Sequence, residues 1–525
     1  METDYDFIII GSGFGGSVSA LRLSEKGYKV LVIEKGKDYK TKDFPKTNWN
    51  LRKYLWFPSL FLYGIQALTF LKHVFVLHGV GVGGGSLVYA NTLRVPPEEA
   101  FNNGNWPDSN WKGKLAPFYN IAKKMLGATP AKNLGATDHI LRETIGQFCK
   151  DHEFKKVNVG VFFGEPGKDV PDPYFNGDGP NRAGCVLCGG CMVGCRYNAK
   201  NTLDKNYLYL AQKLGAVINP EREVIDITKI DAGYRLTIKK STGLIRTKST
   251  MTCKKVVLSG GVMGSVKLLL KCKSNGSLKN LSNCLGDFVR TNSESILGSK
   301  LKERPKSDFT NGIAISASAK IDDYTHVEMV RYGKQQNSLA ALTTILGERD
   351  DDEYGFIYFM KSIIKKPISF LRLLYPFNWS DRSIILLVMQ PIDNYLKLEL
   401  GRSWRSLWTK KINSNLSTGS PIKSRIKRGD ELIHKISKDN NGTPSTTYMD
   451  SLLGIPTTAH ILGGCKMGTD IEGAVVDEKL EAFNYPGLYV IDGSVIPSNL
   501  GVNPSLTITA LAEYAMNQVP MKADA

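Results

Sequence analysis

The sequence predicts a mixed α/β fold in which two domains alternate along the chain. Three observations carry this prediction. An apolar strand, a glycine-rich turn and a helical pattern open the sequence, and the same order returns at residues 256–265. The length of 525 residues exceeds what one hydrophobic core usually organises. A hydrophobic content of 42% is typical of a globular chain.

The opening residues predict a strand, a helix and a second strand. Residues 5–10 read YDFIII, a short run that is typical of a strand buried on both faces of a parallel sheet. Apolar residues return at helical spacing over 17–26, and residues 29–34, KVLVIE, indicate the next strand. The order is that of a βαβ unit.

The turn between these elements reads GSGFGG and predicts a dinucleotide site. Gly11 allows the tight turn, Gly13 lets the backbone approach a pyrophosphate, and Gly16 lets helix and strand pack closely. Amides at the helix N-terminus then face the phosphates. Glu34 ends the second strand, where a carboxylate accepts hydrogen bonds from ribose hydroxyls and disfavours a 2′-phosphate. A glycine-rich turn without a ligand is the alternative.

Two further glycine-rich turns follow. Residues 79–86, GVGVGGGS, predict backbone pressed against a flat or phosphorylated group. Residues 256–265, VVLSGGVMGS, again give a strand, a turn and a helix start. No acidic residue follows this turn at the ribose distance, so we expect no second nucleotide site there.

The charge balance bears on partners and location. Lys and Arg number 68 against 50 Asp and Glu, a net charge of +18. This excess favours either attraction to an anionic membrane surface or simple solubility. No basic block interleaved with aromatic residues and no recognition helix occurs, so no nucleic-acid partner is predicted. We expect a cytoplasmic location, with peripheral contact at the inner face of the membrane as the alternative, because the opening strand leaves no room for a signal peptide.

Two apolar segments bear on membrane contact. Residues 54–71 are nearly long enough to span a bilayer, but Pro58 and Gly64 argue against a span, leaving an interfacial or substrate-entrance segment or buried core. Residues 360–377 mix basic and apolar residues at helical spacing, with Pro367 starting or kinking the helix. This segment is either a lipid-facing helix or a surface helix that covers the core. The acidic run at 350–353 predicts a solvated loop.

Four of the nine cysteines crowd into the loop 184–196. Their spacing, C-x2-C-x2-C-x3-C, is that of bacterial ferredoxins, so an iron–sulfur cluster is one interpretation. A zinc site usually needs two separated pairs, and free or redox-active thiols are the third alternative. The candidate ligands are Cys185, Cys188, Cys191 and Cys195.

Several segments together resemble a known family. Residues 459–465 (AHILGGC), 489–494 (YVIDGS) and 503–511 (NPSLTITAL), with the opening glycine turn, resemble the glucose-methanol-choline oxidoreductases. Residues 83–88 (GGGSLV) and 201–208 (NTLDKNYL) narrow the resemblance to the cholesterol oxidase-like branch. Residues 89–91 read Tyr-Ala-Asn where typical members of that branch carry Asn-Gly-Gly, so we expect a differently shaped pocket.

The resemblance implies a Rossmann-type FAD-binding domain of discontinuous segments, interleaved with a substrate domain on a mostly antiparallel sheet. The implied FAD-binding segments are 1–40, 79–100, 196–290 and 461–525. The implied substrate-binding segments are 41–78, 101–195, which ends in the cysteine-rich loop, and 291–460.

The resemblance also implies roles for single residues. His460 and Asn503 would face the flavin where an alcohol binds, and Glu328 would move a proton during double-bond isomerisation. A strand-end glutamate without a role, and for Asn503 a helix cap, are the plainer interpretations. The implied cofactor-binding residues are Gly11, Gly13, Gly16, Glu34, Gly84, Gly85, Ser86, Asn91, Val224, Gly260, Asp492, Gly493 and Asn503.

The implied activity is FAD-dependent oxidation of a secondary alcohol on a sterol-like or other lipophilic molecule to a ketone, with O2 or a carrier as electron acceptor. The flavin carries the redox step, His460 handles the hydroxyl proton, and Asn503 positions the hydroxyl or an ordered water. One alternative is a flavin and iron–sulfur alcohol dehydrogenase that reduces a quinone or carrier. A second is a non-catalytic flavin electron carrier at the membrane. His78 is a candidate for covalent flavin attachment.

Overall fold

The computed structural model describes residues 3–347, 355–401, 410–417 and 422–523. The acidic run at 350–353 lies outside these ranges. Two seven-stranded sheets organise the described chain, and their strands are drawn alternately from the sequence. The mixed α/β class is confirmed.

The first sheet is built around the opening strand. Tyr5–Ile10 runs parallel to Val30–Ile33 on one side and to Lys248–Leu258 on the other. Both predicted strand–turn–helix units form, with helices Phe14–Glu25 and Val262–Asn275. Because the central strands are parallel neighbours, both glycine turns leave the same edge of the sheet. The order across the sheet is Val217–Asn219, Val30–Ile33, Tyr5–Ile10, Lys248–Leu258, Gly233–Lys240 and Arg222–Ile230, with Leu488–Val490 also paired to Lys248–Leu258.

The second sheet is antiparallel throughout, which confirms the predicted mostly antiparallel sheet. Alternate residues of its strands face opposite sides, as a pleated strand requires. Leu386 and Val388 pack with helices Ala136–Phe148 and Lys427–Asp439, whereas Leu387 faces a cavity. The order across the sheet is Thr343–Ile345, Gly442–Thr447, Ser295–Leu301, Ser383–Met389, His326–Val330, Ile315–Lys320 and Glu153–Lys156.

Smaller elements complete the fold. A three-stranded sheet combines Gln66–Phe70, Phe75–Gly79 and Thr457–Thr458. The paired strands are Trp56–Phe57 with Leu62–Tyr63, Ala128–Pro130 with Asn158–Gly160, Asp169–Val170 with Arg182–Ala183, and Leu396–Gly401 with Lys411–Leu416. The remaining helices are Leu51–Tyr54, Trp111–Met125, Tyr207–Lys213, Gly355–Lys365, Pro367–Leu374, Trp379–Arg382, Tyr448–Leu453 and Ser505–Asn517.

The two apolar segments take different structures. Residues 54–71 form short strands and a turn, and their side chains divide between the core and solvent. Residues 360–377 lie mainly in two consecutive helices, and Pro367 begins the second, as its fixed φ angle favours. Within the described ranges, no helix combines the length and the apolarity that a bilayer crossing needs.

Candidate active site

A large cavity lies between the two sheets. Its empty volume is about 2960 Å³, including solvent at its mouth. The ends of the central strands of the first sheet form one part of the wall, through Ile10, Ile33 and Leu258, and the apolar face of the second sheet forms another, through Ile385 and Leu387. This is the position where an open parallel sheet binds its ligand.

On its inner side, the opening glycine turn leaves no room for a Cβ atom. Gly11 has a φ of +97°, and a Cβ there would lie 2.4 Å from the Ser259 carbonyl oxygen. A Cβ on Gly16 would lie 2.1 Å from the Gly11 carbonyl oxygen, and Gly16 does not line the cavity. Gly15, which the sequence analysis did not single out, is tighter still, since its Cβ would lie 1.7 Å from the Ile491 carbonyl oxygen. These glycines allow helix and strand to touch.

On the side that faces the cavity, the opening turn and the turn at 256–265 expose backbone without side chains. A Cβ on Gly13 would meet no heavy atom closer than 3.9 Å, and Cβ atoms on Gly261 and Gly264 would meet none within 4 Å. All three residues line the cavity, and so does Gly260 of the turn at 256–265. Backbone amides free of side chains at the start of two helices suit a diphosphate, so this cradle fits the pyrophosphate of FAD.

Glu34 lies in the cavity wall and is held rigidly. Its Oε2 accepts hydrogen bonds from the Ser12 amide at 3.1 Å and the Ser12 hydroxyl at 2.8 Å, and its Oε1 accepts one from the Gly36 amide at 2.8 Å. A carboxylate has about four acceptor positions, so one remains for a ribose hydroxyl.

The second glycine cluster touches the first. Gly84 and Gly85 line the cavity, and a Cβ on Gly84 would lie 2.7 Å from the Cα of Gly13. Ser86 lies behind the wall, where its hydroxyl donates to the Gly83 carbonyl at 2.6 Å and accepts from the Leu203 amide at 3.1 Å. Ser86 therefore fastens the cluster to the segment 201–208 and does not reach a ligand.

Among the other predicted cofactor residues, some line the cavity and one lies behind its wall. Val224, Asp492 and Gly493 line the cavity, whereas Asn91, buried with a φ of +70°, does not. Asp492 Oδ2 accepts from the Ser265 hydroxyl at 2.6 Å. Burial raises the pKa of Asp492 despite its hydrogen bonds. Asp492 thus ties the third glycine turn to the C-terminal segment.

His460 lies in the cavity wall beside a glutamate that the sequence analysis missed. His460 Nδ1 is 3.1 Å from Oε2 of Glu294, which also lines the cavity. Burial lowers the pKa of His460, but the Glu294 carboxylate, with a smaller contribution from Glu328, raises it more, so the net change is upward. The available signal for Glu294 was a single carboxylate next to the apolar strand residues 295–301.

Asn503 lines the cavity and has one polar side-chain atom without a partner among the described residues. Its Nδ2 donates to Glu328 Oε2 at 3.0 Å, whereas its Oδ1 is buried and has no hydrogen-bond partner among the described residues. Pro504 occupies the cap position of helix Ser505–Asn517, so Asn503 does not cap that helix.

Glu328 lies one layer behind Asn503. It is fully buried, its Oε1 is 3.1 Å from His326 Nε2, and it does not line the cavity. Burial raises the pKa of Glu328, but hydrogen bonding and charge from His326, with Arg94 and Asn503, lower it more. The structure thus keeps Glu328 as a carboxylate in the middle of strand His326–Val330, connected to the cavity through Asn503.

The rest of the wall beside His460 is apolar and aromatic. It includes Tyr332, Trp379 and Leu339, together with Tyr89 and Ala90 from the unusual tripeptide.

His78 also lines the cavity, and its Nε2 is 3.2 Å from the Thr69 hydroxyl. Burial lowers the pKa of His78 to about 3, so the ring is neutral.

The cysteine-rich loop does not form the predicted metal site. Within the described part of the chain, which includes all four cysteines, no group of three or more His, Cys, Asp or Glu side chains is placed to hold a metal ion. Burial raises the pKa of Cys185 to about 12 and that of Cys188 to about 11. Cys185, Cys191 and Cys195 pack against a hydrophobic cluster. The iron–sulfur and zinc interpretations are therefore not supported: three of the thiols pack against apolar side chains and Cys188 is exposed.

Comparisons with known proteins agree with this geometry. A family profile for GMC oxidoreductases matches residues 411–512, and one for NAD(P)-binding Rossmann-like domains matches residues 9–40. A cholesterol oxidase of Acinetobacter baumannii is 42% identical over 99% of this chain and 95% of its own length. The chain belongs to the glucose-methanol-choline oxidoreductases, in their cholesterol oxidase-like branch.

Further relatives of this oxidoreductase extend the comparison. A cholesterol oxidase of Mycobacterium tuberculosis is 42% identical over 100% of the chain and 92% of its own, and a long-chain-alcohol oxidase of Arabidopsis thaliana is 26% identical over 99% and 67%. The crystal structure of pyridoxine 4-oxidase from Mesorbium loti shares the fold, with a TM-score of 0.62 and 14% identity over 98% of each chain. The oxidoreductase uses FAD and acts on CH–OH donors.

Proposed function

We propose that this enzyme oxidises a secondary alcohol on a sterol-like substrate to a ketone and passes the electrons to O2. The observation that carries the proposal is the pairing of His460 with Glu294, next to the unpartnered Asn503 Oδ1, at the polar end of an apolar cavity. A rigid hydrocarbon skeleton with one hydroxyl group matches a wall of that composition. The two cholesterol oxidases at 42% identity support the same substrate class and acceptor.

The side chains divide the work on the hydroxyl group. FAD supplies the acceptor for the hydride that leaves the carbinol carbon. Because Glu294 occupies the Nδ1 side of His460, Nε2 is the nitrogen that takes the hydroxyl proton, and the Glu294 carboxylate stabilises the imidazolium that results. Asn503 Oδ1 accepts a hydrogen bond from the substrate hydroxyl or from an ordered water.

We assign a second step, isomerisation of a double bond next to the new ketone, to Glu328. The supporting observation is its place one hydrogen bond behind the cavity wall, since Glu328 Oε2 accepts from Asn503, which lines the cavity. The iron–sulfur dehydrogenase alternative is not part of the proposal, since the cysteine loop offers no metal site among the described residues.

Anaerobic mixing with a sterol tests the oxidation. We expect the flavin absorbance to bleach, a ketone to form, and admission of air to restore the colour rapidly. His460→Ala should keep FAD and lose roughly 10²- to 10⁴-fold in the rate of bleaching. Glu328→Gln should still bleach but yield the non-conjugated ketone. Bleaching by long-chain primary alcohols and not by sterols would refute the substrate class, and slow recolouring in air would refute O2 as acceptor.

We further propose peripheral contact with anionic membranes through the helix pair Gly355–Lys365 and Pro367–Leu374. Seven large apolar side chains of this pair are exposed: Phe356, Ile357, Met360, Ile364, Ile368, Leu371 and Leu374. The pair carries Lys361, Lys365, Lys366 and Arg372 and no acidic residue. Apolar side chains beside basic ones suit the interface of an anionic bilayer.

The helix pair also lies next to the cavity. The ring of Phe359 packs 6.2 Å from that of Tyr448, which lines the cavity wall. A lipophilic substrate that leaves the bilayer at this surface would have a short path to His460.

A further inference from the structure

The buried turn at 292–294 contacts His460 and the loop that leads to Asn503. We propose that this turn is the positioning element of the site, in which Glu294 orients and charges His460 while Asn292 fixes the loop that carries Asn503. The inference rests on the proposed alcohol oxidation and adds two residues to it.

Glu294 contacts both the side chain of His460 and the chain segment that carries it. Its side chain is 1% exposed, and its Oε2 is 3.1 Å from His460 Nδ1. The same oxygen accepts from the Ala459 amide at 3.1 Å and from the Thr458 hydroxyl at 2.9 Å. Thr458 Oγ1 in turn accepts from the His460 amide at 2.9 Å. One carboxylate therefore holds the imidazole and the backbone from which it projects.

Asn292 makes three hydrogen bonds to the loop before Asn503. Its Oδ1 accepts from the Leu500 and Gly501 amides, both at 2.9 Å, and its Nδ2 donates to the Val502 carbonyl at 2.9 Å. Asn292 is fully buried, and Nδ2 also donates to Met389 Sδ at 3.3 Å, so both polar atoms of its side chain have partners. Asn503 follows directly, so its side-chain position depends on Asn292.

The turn itself has a backbone that non-glycine residues rarely adopt. Asn292 and Ser293 have φ angles of +59° and +40° in succession. Such conformations persist where the surroundings hold them and are common at functional sites. The hydrogen bonds of Asn292 supply that support, and the result places Glu294 in the cavity wall.

The pairing has a consequence for proton transfer. The charged groups that raise the pKa of His460 are Glu294, at the start of strand Ser295–Leu301, and Glu328, on strand His326–Val330. A carboxylate 3.1 Å from Nδ1 favours the tautomer with the proton on that nitrogen, which leaves Nε2 as the acceptor. The hydroxyl proton moves to Nε2, and the Glu294 carboxylate balances the charge of the imidazolium that results; bound FAD would accept the hydride from the carbinol carbon.

The substitution Glu294→Gln tests the pairing without any substrate. The chain has seven histidines, so the His460 signal in an NMR titration of histidine-labelled protein can be assigned by its loss in His460→Ala. We expect Glu294→Gln to lower the pKa of His460 and Glu294→Asp to restore most of it. Glu25→Gln, at an exposed helical ion pair, is the control and should leave it unchanged.

Flavin reduction by the alcohol provides the second readout. In Glu294→Gln we expect FAD to stay bound, the limiting rate of reduction to fall about 10- to 100-fold, and the acidic limb of its pH profile to move to lower pH. An unchanged His460 pKa, or a lower rate with the pH profile of the wild type, would overturn the role of Glu294. If Glu294→Gln does not fold, Glu294→Asp becomes the test. Its shorter side chain leaves a longer distance to Nδ1, so it should still lower the pKa of His460 and the rate of flavin reduction, by less than Glu294→Gln would. Failure of the wild type to be reduced by sterols would refute the proposed function and leave the NMR result standing.

Asn292 is tested by comparing its alanine and aspartate variants. Asn292→Ala removes all three hydrogen bonds, whereas Asn292→Asp keeps the two that Oδ1 accepts. We expect kcat to fall about 10- to 100-fold in Asn292→Ala with little change in KM, because a misplaced Asn503 harms the reacting geometry more than binding. Asn292→Asp should recover part of the loss. Equal kcat in wild type and Asn292→Ala, or a loss confined to KM, would show that Asn292 does not position the reacting group.

Discussion

Single residues show most clearly what a sequence motif contains. The glycine pattern indicated Gly11, Gly13 and Gly16, and in the structure the first and last of these meet backbone atoms while Gly13 faces the cavity. Gly15 has the tightest surroundings of the four, yet its neighbour is Ile491, from the far end of the chain. A local pattern does not reveal a requirement set by so distant a segment.

Gly15→Ala is therefore predicted to destabilise the first sheet. Its Cβ would lie 1.7 Å from the Ile491 carbonyl oxygen, a backbone atom that cannot move aside. Overpacking of this kind destabilises by about 1 to 3 kcal/mol or more, and FAD retention should fall with it. Thermal unfolding and the flavin absorbance measure both effects.

The matched control is Gly146→Ala, in the last turn of helix Ala136–Phe148, where a Cβ meets nothing within 4 Å. Its stability should stay the same or rise by up to about 1 kcal/mol. Equal stability of the two variants would contradict the packing argument.

The site residues also divide into those that a sequence motif indicates and those whose contacts only the structure reveals. His460 and Asn503 stand in motifs whose resemblance to a family implied a role, and the structure brings both into one cavity wall. Glu294 stands in no such motif, and its meaning comes only from its 3.1 Å contact with His460. Glu328 was considered as a strand-end residue, but its strand continues to Val330 and buries it against His326.

Elements were predictable where their pattern was strong. The opening βαβ unit, the second strand–turn–helix unit and the helical character of 360–377 all follow from apolar periodicity and turn residues. Residues 54–71 were harder, because their composition alone suits a helix, a core segment or an interface. Pro58 and Gly64 divide the segment, and Gly64 packs so closely on Tyr54 that a Cβ would lie 2.3 Å from the Tyr54 carbonyl carbon.

At this scale the proposed membrane surface makes a prediction. Replacing exposed Ile364, Ile368 and Leu371 with serine should reduce binding to vesicles of anionic phospholipid at least about tenfold, because each side chain loses apolar area to bury. Cosedimentation measures binding, and turnover of detergent-dispersed sterol should be unchanged.

Serine at Leu244 and Ile245, two exposed apolar residues outside the helix pair, serves as the control. The helix pair would be excluded as the docking surface if both sets of substitutions weakened vesicle binding equally, or if neither did.

The whole molecule is held together by contacts between segments far apart in sequence. Asp6 in the opening strand bonds Lys522, after the last helix, at 2.7 Å, and Lys254 of the neighbouring strand at 3.0 Å. Burial raises the pKa of Asp6, but these lysines and the Lys29 amide lower it more, to about 2. Asp6 thus links the C-terminal segment to the centre of the first sheet.

Asp6→Asn should lower the free energy of unfolding at neutral pH by about 2 kcal/mol. A carboxyl whose folded pKa is lowered stabilises above its unfolded pKa, near 3.8, and loses that contribution as the pH falls to about 2. The difference in the free energy of unfolding between wild type and Asp6→Asn, measured by denaturant titration, should therefore become smaller below about pH 4.

Asp38→Asn, at an exposed pair with Lys40, should change stability by less than about 0.5 kcal/mol at any pH. A constant difference between wild type and Asp6→Asn from pH 7 to pH 3 would contradict the assignment.

The sequence by itself determined the α/β class, the dinucleotide turn and the family, because these depend on local periodicity, on glycines at fixed spacing and on motifs kept in order. Only the tertiary structure decided that Glu294 faces His460, that Asn503 turns towards Glu328 and that three cysteines of the loop pack against apolar side chains. The reason is physical: a side chain's charge, partners and burial depend on atoms contributed by segments that meet only after the two sheets have closed around the cavity.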